Sequence, residues 1–292
     1  MAVYELNYKP YEGPLTREWS RFLIIPRHAY ADVFRSKLFT AFFALCFVCP
    51  LVMAILIYLH HNITALTIFQ TNVGNLVPIN GSFFQTFIST QTVFAFLLTV
   101  MIGPVLVSRD LTNNALPLYL CRPFTRAEYV IGKMSVLAIL ISTITWIPGV
   151  LLFLFNSYLE GLGWFASNIW IAFAIILASL LLIAVYSLLS MALSAWIKWR
   201  LASSAALFGV FMISNAVGVT INQLFRTNWG SFFNLTMLFG TIEDSLFRNH
   251  NSLGLPAFMV LPVVAAWISL GLLSLSCLFL ISRKVRAYEV VR

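Results

Sequence analysis

The sequence predicts an all-α polytopic membrane protein with six transmembrane helices. Three observations predict this fold class: apolar residues make up 60% of the chain and charged residues only 10%, long apolar runs recur six times, and Lys and Arg fall in alternate loops. An ordinary soluble domain carries roughly 25% charged residues. A chain of 292 residues with so few charges cannot hide its apolar surface in one compact core, so it uses lipid as part of its solvent.

Each predicted span is at least as long as the roughly 20 apolar residues that a membrane crossing needs, and none contains Asp, Glu, Lys or Arg. The spans are Leu38–Leu59, Phe83–Val107, Met134–Phe155, Asn168–Ile197, Leu201–Phe225 and Pro256–Ser282. The fourth apolar region is too long for a simple crossing, which predicts an interfacial segment or a strongly tilted helix. No linker divides the chain, so residues 38–282 form one predicted membrane domain, between an N-terminal segment (1–37) and a basic tail (283–292).

The distribution of Lys and Arg predicts the side of the membrane that each loop occupies. Sixteen of the 18 basic residues lie in the N-terminal segment, the loop after the second span, the turn after the fourth span and the C-terminal tail. The other two, Arg226 and Arg248, lie in a long outer loop at 226–255. Because cytoplasmic loops are enriched in Lys and Arg, both termini are predicted to be cytoplasmic. The outer loop is apolar for a loop, which predicts short helices that dip into the outer leaflet without crossing it.

An amphipathic stretch precedes the first span. Its apolar residues follow helical spacing on both sides of Pro26, which interrupts the pattern: Leu15, Trp19, Phe22, Leu23, Tyr30, Val33, Phe34 and Leu38. Such a stripe, with charged residues opposite, is typical of an elbow helix that lies in the inner interface and then bends into the membrane. A soluble helix packed on a partner is the alternative.

The chain lacks the motifs of a nucleotide-driven or metal-dependent enzyme. A phosphate-cradling loop needs an earlier glycine and a Ser or Thr after its lysine, whereas Gly132-Lys133 is followed by Met134. His60 and His61 are adjacent and face different ways on a helix, which favours interfacial anchoring over metal binding. We therefore predict no catalytic residue, metal or cofactor in this chain. The basic residues cluster at span ends, so they do not predict a nucleic-acid partner.

Neutral polar residues inside the second and fifth spans are the candidates for a substrate path. Gln91 and Asn215 lie close to mid-span, where an amide needs a partner or a wet cavity. Phe94 and Phe211 are placed to supply apolar contacts in the same region. Two interpretations stay open: a path lined by these residues, or hydrogen bonds that hold the helices together at about 0.6–2 kcal/mol each.

Loop 108–133, after the second span, is the most informative segment. A plain connector needs roughly two to eight residues, and this loop is much longer and densely charged. The candidate contact residues are Arg109, Asp110, Leu116, Leu118, Tyr119, Arg122, Arg126 and Glu128. Anionic headgroups explain the cations but would repel Asp110 and Glu128, whereas a protein partner explains both signs. The apolar cluster predicts a short helix that meets this cytoplasmic partner and ends at Arg122-Pro123.

The same loop resembles the signature of type-two ATP-binding-cassette permeases, the membrane halves of many bacterial exporters. The resemblance rests on Ser108-Arg109-Asp110, Ala115 to Leu120, Arg122-Pro123, Arg126, Glu128-Tyr129 and Gly132-Lys133. It extends more loosely to the elbow, the six spans and the long outer loop before the sixth. Cys121 departs from the pattern, in which a small polar residue such as Ser is expected, without altering the role of the loop.

The resemblance implies that the loop forms a coupling helix, which docks in a groove of a separate ATPase subunit that binds ATP and Mg. It also implies a pair of permeases, either two copies of this chain or this chain with a homologous one. The expected location is the bacterial cytoplasmic (inner) membrane, with the lipid bilayer as a further partner. The expected function is that of the permease subunit of an ATP-driven exporter.

Three other functions stay open on the residues alone. A secondary transporter or channel would work without ATP. Predicted spans without acidic, basic or His residues disfavour a coupled carrier, but sodium coupling through backbone carbonyls stays open. A membrane enzyme acting on lipid would need convergent catalytic groups, which the sequence does not offer. A membrane anchor would pass mechanical work to a further partner. The sequence does not name a substrate.

Overall fold

The computed structural model describes residues 23–62, 78–113, 126–197, 199–250, 252, 254, 256 and 259–284. In this part of the chain the regular structure is helical, without strands. The α-helices are α1 (Ile24–Val33), α2 (Lys37–Leu45), α3 (Val48–His61), α4 (Gly81–Thr112), α5 (Arg126–Ile144), α6 (Trp146–Glu160), α7 (Leu162–Trp196), α8 (Arg200–Phe225), α9 (Leu235–Leu246) and α10 (Val263–Lys284). A short 3-10 helix, Trp229–Phe232, precedes α9.

Six helical segments are long and apolar enough to cross a membrane, which confirms the predicted fold class. In chain order they are α2 with α3, α4, α5 with α6, α7, α8 and α10. Helix α7 is continuous over 35 residues and is therefore about 50 Å long. The fourth apolar region is thus one continuous helix, longer than the roughly 30 Å hydrocarbon core.

The sixth span begins later than the sequence predicted. Its helix starts at Val263, directly after Pro262, and not at Pro256. Proline has no N–H and a fixed φ, so it suits the start of a helix and not its interior. The predicted boundary was wrong because it followed hydropathy alone.

Three helices have a proline as their third residue: Pro26 in α1, Pro50 in α3 and Pro148 in α6. The first turn of a helix makes no use of its own N–H groups, so proline fits there. The first and third spans are accordingly each divided into two helices. Pro26 lies in the first turn of α1 and does not separate two helical stretches within the described residues.

Pro50 also explains the hydrogen bond made by Gln91 in the second span. Because proline has no N–H, the Cys46 carbonyl loses its helical partner. The Nε2 amide of Gln91, in α4, donates to that oxygen at 3.0 Å. Gln91 therefore joins the second span to the break in the first.

Pro104 also frees a backbone carbonyl from its helical hydrogen bond, in this case within α4 itself. It leaves the Val100 carbonyl without a helical donor. The Ser204 hydroxyl of α8 donates to this oxygen at 3.1 Å. The second and fifth spans are thus joined at the proline.

Helix α7 lies at the centre of the bundle and packs against α4, α5, α6, α8, α9 and α10. Its buried residues join two apolar clusters, one that includes Tyr186 and Ala192 and another that includes Phe87 and Ile175. In contrast, only 17%, 11% and 22% of the first, fifth and sixth spans are buried. Those spans present apolar surface that lipid or another chain must cover.

Helix α1 packs on the start of the third span. The Tyr30 hydroxyl donates to the Val136 carbonyl at 3.0 Å, and Ala29 and Val33 pack against the core. Helix α1 is thus tied to α5, the helix in which loop 108–133 ends. We call this end of the molecule the α1 end.

The region between the fifth and sixth spans folds onto the opposite end of the bundle, the α9 end. Asn234 caps α9 by accepting a hydrogen bond from the Met237 N–H at 3.2 Å, and it donates to Asn215 Oδ1 of α8 at 2.9 Å. The backbones of Gly218 and Gly230 are so close that a Cβ on Gly218 would lie 2.6 Å from the Gly230 oxygen. Helix α9 is therefore part of the packed structure.

Candidate coupling and substrate sites

The two ends of the predicted coupling loop lie at the α1 end. Helix α4 ends at Thr112 and α5 begins at Arg126, so both flanks of the predicted coupling loop are helical. Four of the predicted contact residues lie outside the described residues: Leu116, Leu118, Tyr119 and Arg122. Arg109 and Arg126 belong to α4 and α5, and the description does not extend to their side chains.

A buried ion pair joins the two flanks. Lys133 Nζ of α5 lies 2.8 Å from Asp110 Oδ2 of α4, and the two side chains are 9% and 13% exposed. The Tyr129 hydroxyl donates to the same carboxylate oxygen at 2.8 Å, and Lys133 lies over the Tyr129 ring. We call this group the Asp110–Lys133 clamp. It connects the last turn of α4 to the second turn of α5 and so closes the base of the loop.

The clamp gives the Asp110 carboxylate a partner within the chain. Sequence analysis assigned both acidic residues of the loop to a partner protein, because anionic lipid would repel them. Asp110 lies in the last turn of α4, where the helix dipole disfavours a negative charge, and Lys133 offsets that cost. Glu128 is half-buried in the first turn of α5, where the dipole favours a negative charge.

A cavity of about 570 Å³ adjoins the clamp and is lined by α1, α4 and the ends of neighbouring helices. Asp110 and Lys133 form part of its wall, together with Asp32 of α1 and Arg200 of α8. Helix α1, the second and third spans and the start of the fifth span therefore meet at one place, beside the base of the loop.

The four predicted path residues do not share one cavity. Gln91 has no exposed surface and bonds to the break in the first span. Asn215 is hydrogen-bonded to the cap of α9. Phe94 packs against Phe42 of the first span, with ring centroids 6.2 Å apart. Phe211 is the one residue of these four that lines the cavity at the α9 end.

This cavity, of about 210 Å³, lies between α4, α7, α8 and α9, and we call it the α9 cavity. Four aromatic rings line it: Phe96, Tyr186, Phe211 and Phe239. The Phe96 and Phe211 rings stack with centroids 4.2 Å apart. Tyr186 meets Phe239 edge-on at 5.6 Å. Each ring thus comes from a different helix and contacts at least one other.

Glu243 of α9 also lines the cavity, and its side chain is only 5% exposed. The Ser89 hydroxyl of α4 donates to Glu243 Oε2 at 2.6 Å. Burial raises the pKa of Glu243 to about 7, the bond from Ser89 acts in the opposite direction, and the negative charge of Asp244 raises the pKa further. The carboxyl group therefore titrates near neutral pH.

Asp244, the next residue, holds α9 against the second span. Gln85 Nε2 of α4 donates to Asp244 Oδ1 at 2.6 Å, and Gln85 Oε1 accepts a hydrogen bond from Asn249 Nδ2. The Ser252 N–H donates to Asp244 Oδ2 at 3.1 Å. These bonds fix the position of Glu243 relative to the aromatic rings.

Sequence analysis missed Glu243 because it treated residues 226–255 as a loop. The signal that reveals it is helical spacing: Glu243 follows Phe239 by four residues and Leu235 by eight, which places it on the apolar face of α9. It also missed Tyr186, which is one of two tyrosine side chains that are almost fully buried in the described structure.

The fold is that of a polytopic membrane protein with six candidate spans, a clamped loop base at one end and a small aromatic cavity at the other. Among the described residues no cluster of His, Cys, Asp and Glu could hold a metal ion. The family model for the ABC-2 family transporter protein matches residues 23–229. The chain therefore belongs to this family and is a permease component of an ABC transporter, which confirms the predicted family. A comparison with curated proteins finds no match.

Proposed function

We propose that this chain is the permease subunit of an ATP-driven exporter and is coupled through loop 108–133 to a separate ATPase subunit. The observation that carries this proposal is the Asp110–Lys133 clamp, with its N–O distance of 2.8 Å. A clamp at the base of the loop makes α4 and α5 respond together to a force on the loop. Membership of the ABC-2 family supports the same function.

ATP and Mg bind in the partner subunit, and this chain catalyses no reaction. ATP binding closes a pair of ATPase subunits and draws the two coupling loops together. The packed helices then move as rigid bodies, which switches the path from inward-open to outward-open. Helix α1 follows the third span in this motion because Tyr30 is hydrogen-bonded to α5.

The transporter contains two permeases, two copies of this chain or this chain with a homologous one, in a bacterial inner membrane with both termini in the cytoplasm. The exposed apolar side chains of α8 support such a pairing, among them Phe208 and Ile213. Val93 and Met212, at the rim of the α9 cavity, are exposed beside them. A second permease on this face places the cavity along a central path.

Affinity purification of the full chain in mild detergent tests the coupling. We expect a soluble ATP-binding subunit to co-purify and to hydrolyse ATP in the complex. Replacing Asp110 by Asn and Lys133 by Met together should keep this association but reduce transport per ATP hydrolysed. Transport by the purified chain without ATP or a soluble subunit would instead support a secondary transporter or channel. A complex that hydrolyses ATP without moving any solute would support an anchor for mechanical work.

A further inference from the structure

The α9 cavity has the features of a binding site for a positively charged organic group. We propose that it binds the ammonium head of a cationic amphiphile, and that such molecules are substrates of the transporter. This proposal rests on the proposed function, since it names the substrate class of an exporter. It is argued from the shape, the aromatic lining and the buried carboxyl group of the cavity.

The cavity has a buried floor and an open rim. Phe96, Tyr186 and Glu243 are buried, whereas Val93 is 59% and Met212 is 42% exposed. The volume of about 210 Å³ is below the roughly 300–1,000 Å³ of pockets that enclose a whole drug-sized molecule. The cavity therefore suits the head of a larger molecule, whose apolar remainder passes the exposed apolar rim.

The aromatic rings favour a cation over a neutral group of the same shape. The π-face of an aromatic ring carries partial negative charge, so a cation within about 6 Å of the ring centroid is attracted to it. Phe96, Tyr186, Phe211 and Phe239 line one small space from four helices. A cage of several rings is a common recognition site for quaternary ammonium groups.

The charges around the cavity leave Glu243 without a cationic partner. No Lys, Arg or His lines the cavity among the described residues. The other titratable groups nearby are Tyr186 on α7 and Asp244 on α9, and the lining residues from α4 and α8 are uncharged. The charged residues of α10, Arg283 and Lys284, lie at its opposite end. A buried carboxylate normally requires a paired charge, and a bound cation supplies it.

The Tyr186 hydroxyl provides a second, independent sign of a ligand. Tyr186 is 2% exposed, and its hydroxyl finds no hydrogen-bond partner among the described residues. Buried polar groups are normally satisfied, so an unsatisfied hydroxyl at the wall of a cavity indicates a missing partner. Tyr186 lines the same cavity as Glu243, so one bound ligand meets both side chains.

The buried carboxyl group adds a pH dependence. The Glu243 pKa of about 7 means that part of the population is neutral at physiological pH. A cation favours the ionised carboxylate, so its affinity should increase between pH 6 and pH 8. A permanently charged ammonium compound isolates this effect, because the ligand itself does not titrate.

The test is equilibrium dialysis of labelled phenyltrimethylammonium against the full chain in lipid nanodiscs, with tert-butylbenzene as the uncharged competitor of the same shape. We expect saturable binding that tert-butylbenzene displaces weakly. Glu243→Gln should reduce the affinity by about tenfold or more, the range for lost hydrogen-bonded or paired charges. Phe211→Leu should reduce it about two- to fivefold through loss of one cation–π contact. Glu160→Gln, an equal charge change at an exposed position, should leave it unchanged.

Equal binding by wild type and Glu243→Gln, with both eluting as well-folded protein, would overturn the proposal, as would equal displacement by tert-butylbenzene. If Glu243→Gln does not fold, two other measurements test the proposal: the affinity of Phe211→Leu and the pH dependence of binding to the wild type. Unchanged affinity in both would overturn it. If the chain binds the cation but no ATPase subunit co-purifies with it, the site is supported and the exporter function fails. An ATP-driven complex that does not bind the cation would refute this site alone.

Discussion

Lys133 Nζ lies 2.8 Å from Asp110 Oδ2, and this contact joins the helix that enters the predicted coupling loop to the helix that leaves it. The two residues are largely buried. Removing one partner therefore leaves an uncompensated charge. We expect Lys133→Met to lower the free energy of unfolding by about 3–5 kcal/mol, and adding Asp110→Asn to recover most of that loss. Thermal unfolding in detergent measures both.

The pair His61–Glu160, with a nitrogen–oxygen distance of 3.2 Å, is more exposed than the clamp, at 17% and 37% for the two side chains, and serves as its control. Glu160→Gln should cost less than about 1 kcal/mol, as is usual for pairs near the surface. Equal losses for the exposed pair and the clamp would show that the clamp has no special structural role.

The apolar cluster of the predicted coupling loop leads to a prediction about association. Leu116→Ala and Tyr119→Ala should weaken binding of the ATPase subunit or uncouple hydrolysis from transport, because buried anchors at interfaces often contribute over about 2 kcal/mol each. Co-purification and ATPase assays measure this effect. Leu162→Ala, an 86% exposed apolar residue at the α9 end, is the control. A double variant with full association and full transport would refute the assignment of this loop.

Gln91 is expected to act through stability. Gln91→Leu removes the hydrogen bond to the Cys46 carbonyl and should lower the free energy of unfolding by about 1 kcal/mol. In a Pro50→Ala background, the N–H of residue 50 can donate to the Cys46 carbonyl. Gln91→Leu should then lower the free energy of unfolding by less than it does in the wild type, and a double-mutant cycle measures this difference. A large change in substrate-stimulated ATPase activity at unchanged stability would favour the substrate path instead.

Stability should depend on pH through Glu243. Because its pKa is raised in the folded state to about 7, the neutral carboxyl is favoured there. The stabilisation is fully present below the ordinary carboxyl pKa of about 4.5 and is lost as the pH rises through about 7. Over that range we expect unfolding to become easier by roughly 3 kcal/mol. Thermal unfolding at pH 5 to 8 should show this slope in wild type and Glu160→Gln, and a flatter one in Glu243→Gln.

Topology is testable by labelling single cysteines in a background without the four native ones. Cysteines at His61, Glu160 and Arg248 should react with an impermeant reagent from outside, and those at Arg122 and Lys198 should not. The reason is the charge distribution, which places the Lys- and Arg-rich loops in the cytoplasm. Outside labelling at Lys198 would contradict the six-span topology.

The six spans could be predicted because hydropathy and charge alternation are local properties of the chain. The start of the sixth span was predicted wrongly, because it depends on Pro262 and not on hydropathy. Asp110 and Lys133 meet only because α4 and α5 pack together, so their pairing is invisible in the linear order. The partner of Gln91 is a carbonyl freed by Pro50, on another span. The α9 cavity was missed for a related reason, since four helices contribute to it.

Helix α4 carries both candidate sites, with Ser89 at the α9 cavity and Asp110 at the clamp. Its rise of 1.5 Å per residue separates these two residues by about 32 Å. The hydrogen bond from Ser204 to the Val100 carbonyl lies between these two residues and is a point about which α4 can tilt. A tilt of about 10° around this point displaces each end by about 3 Å, in opposite directions. We therefore expect movement of the predicted coupling loop to change the width of the cavity through the tilt of α4 alone, without a relay of intermediate side chains.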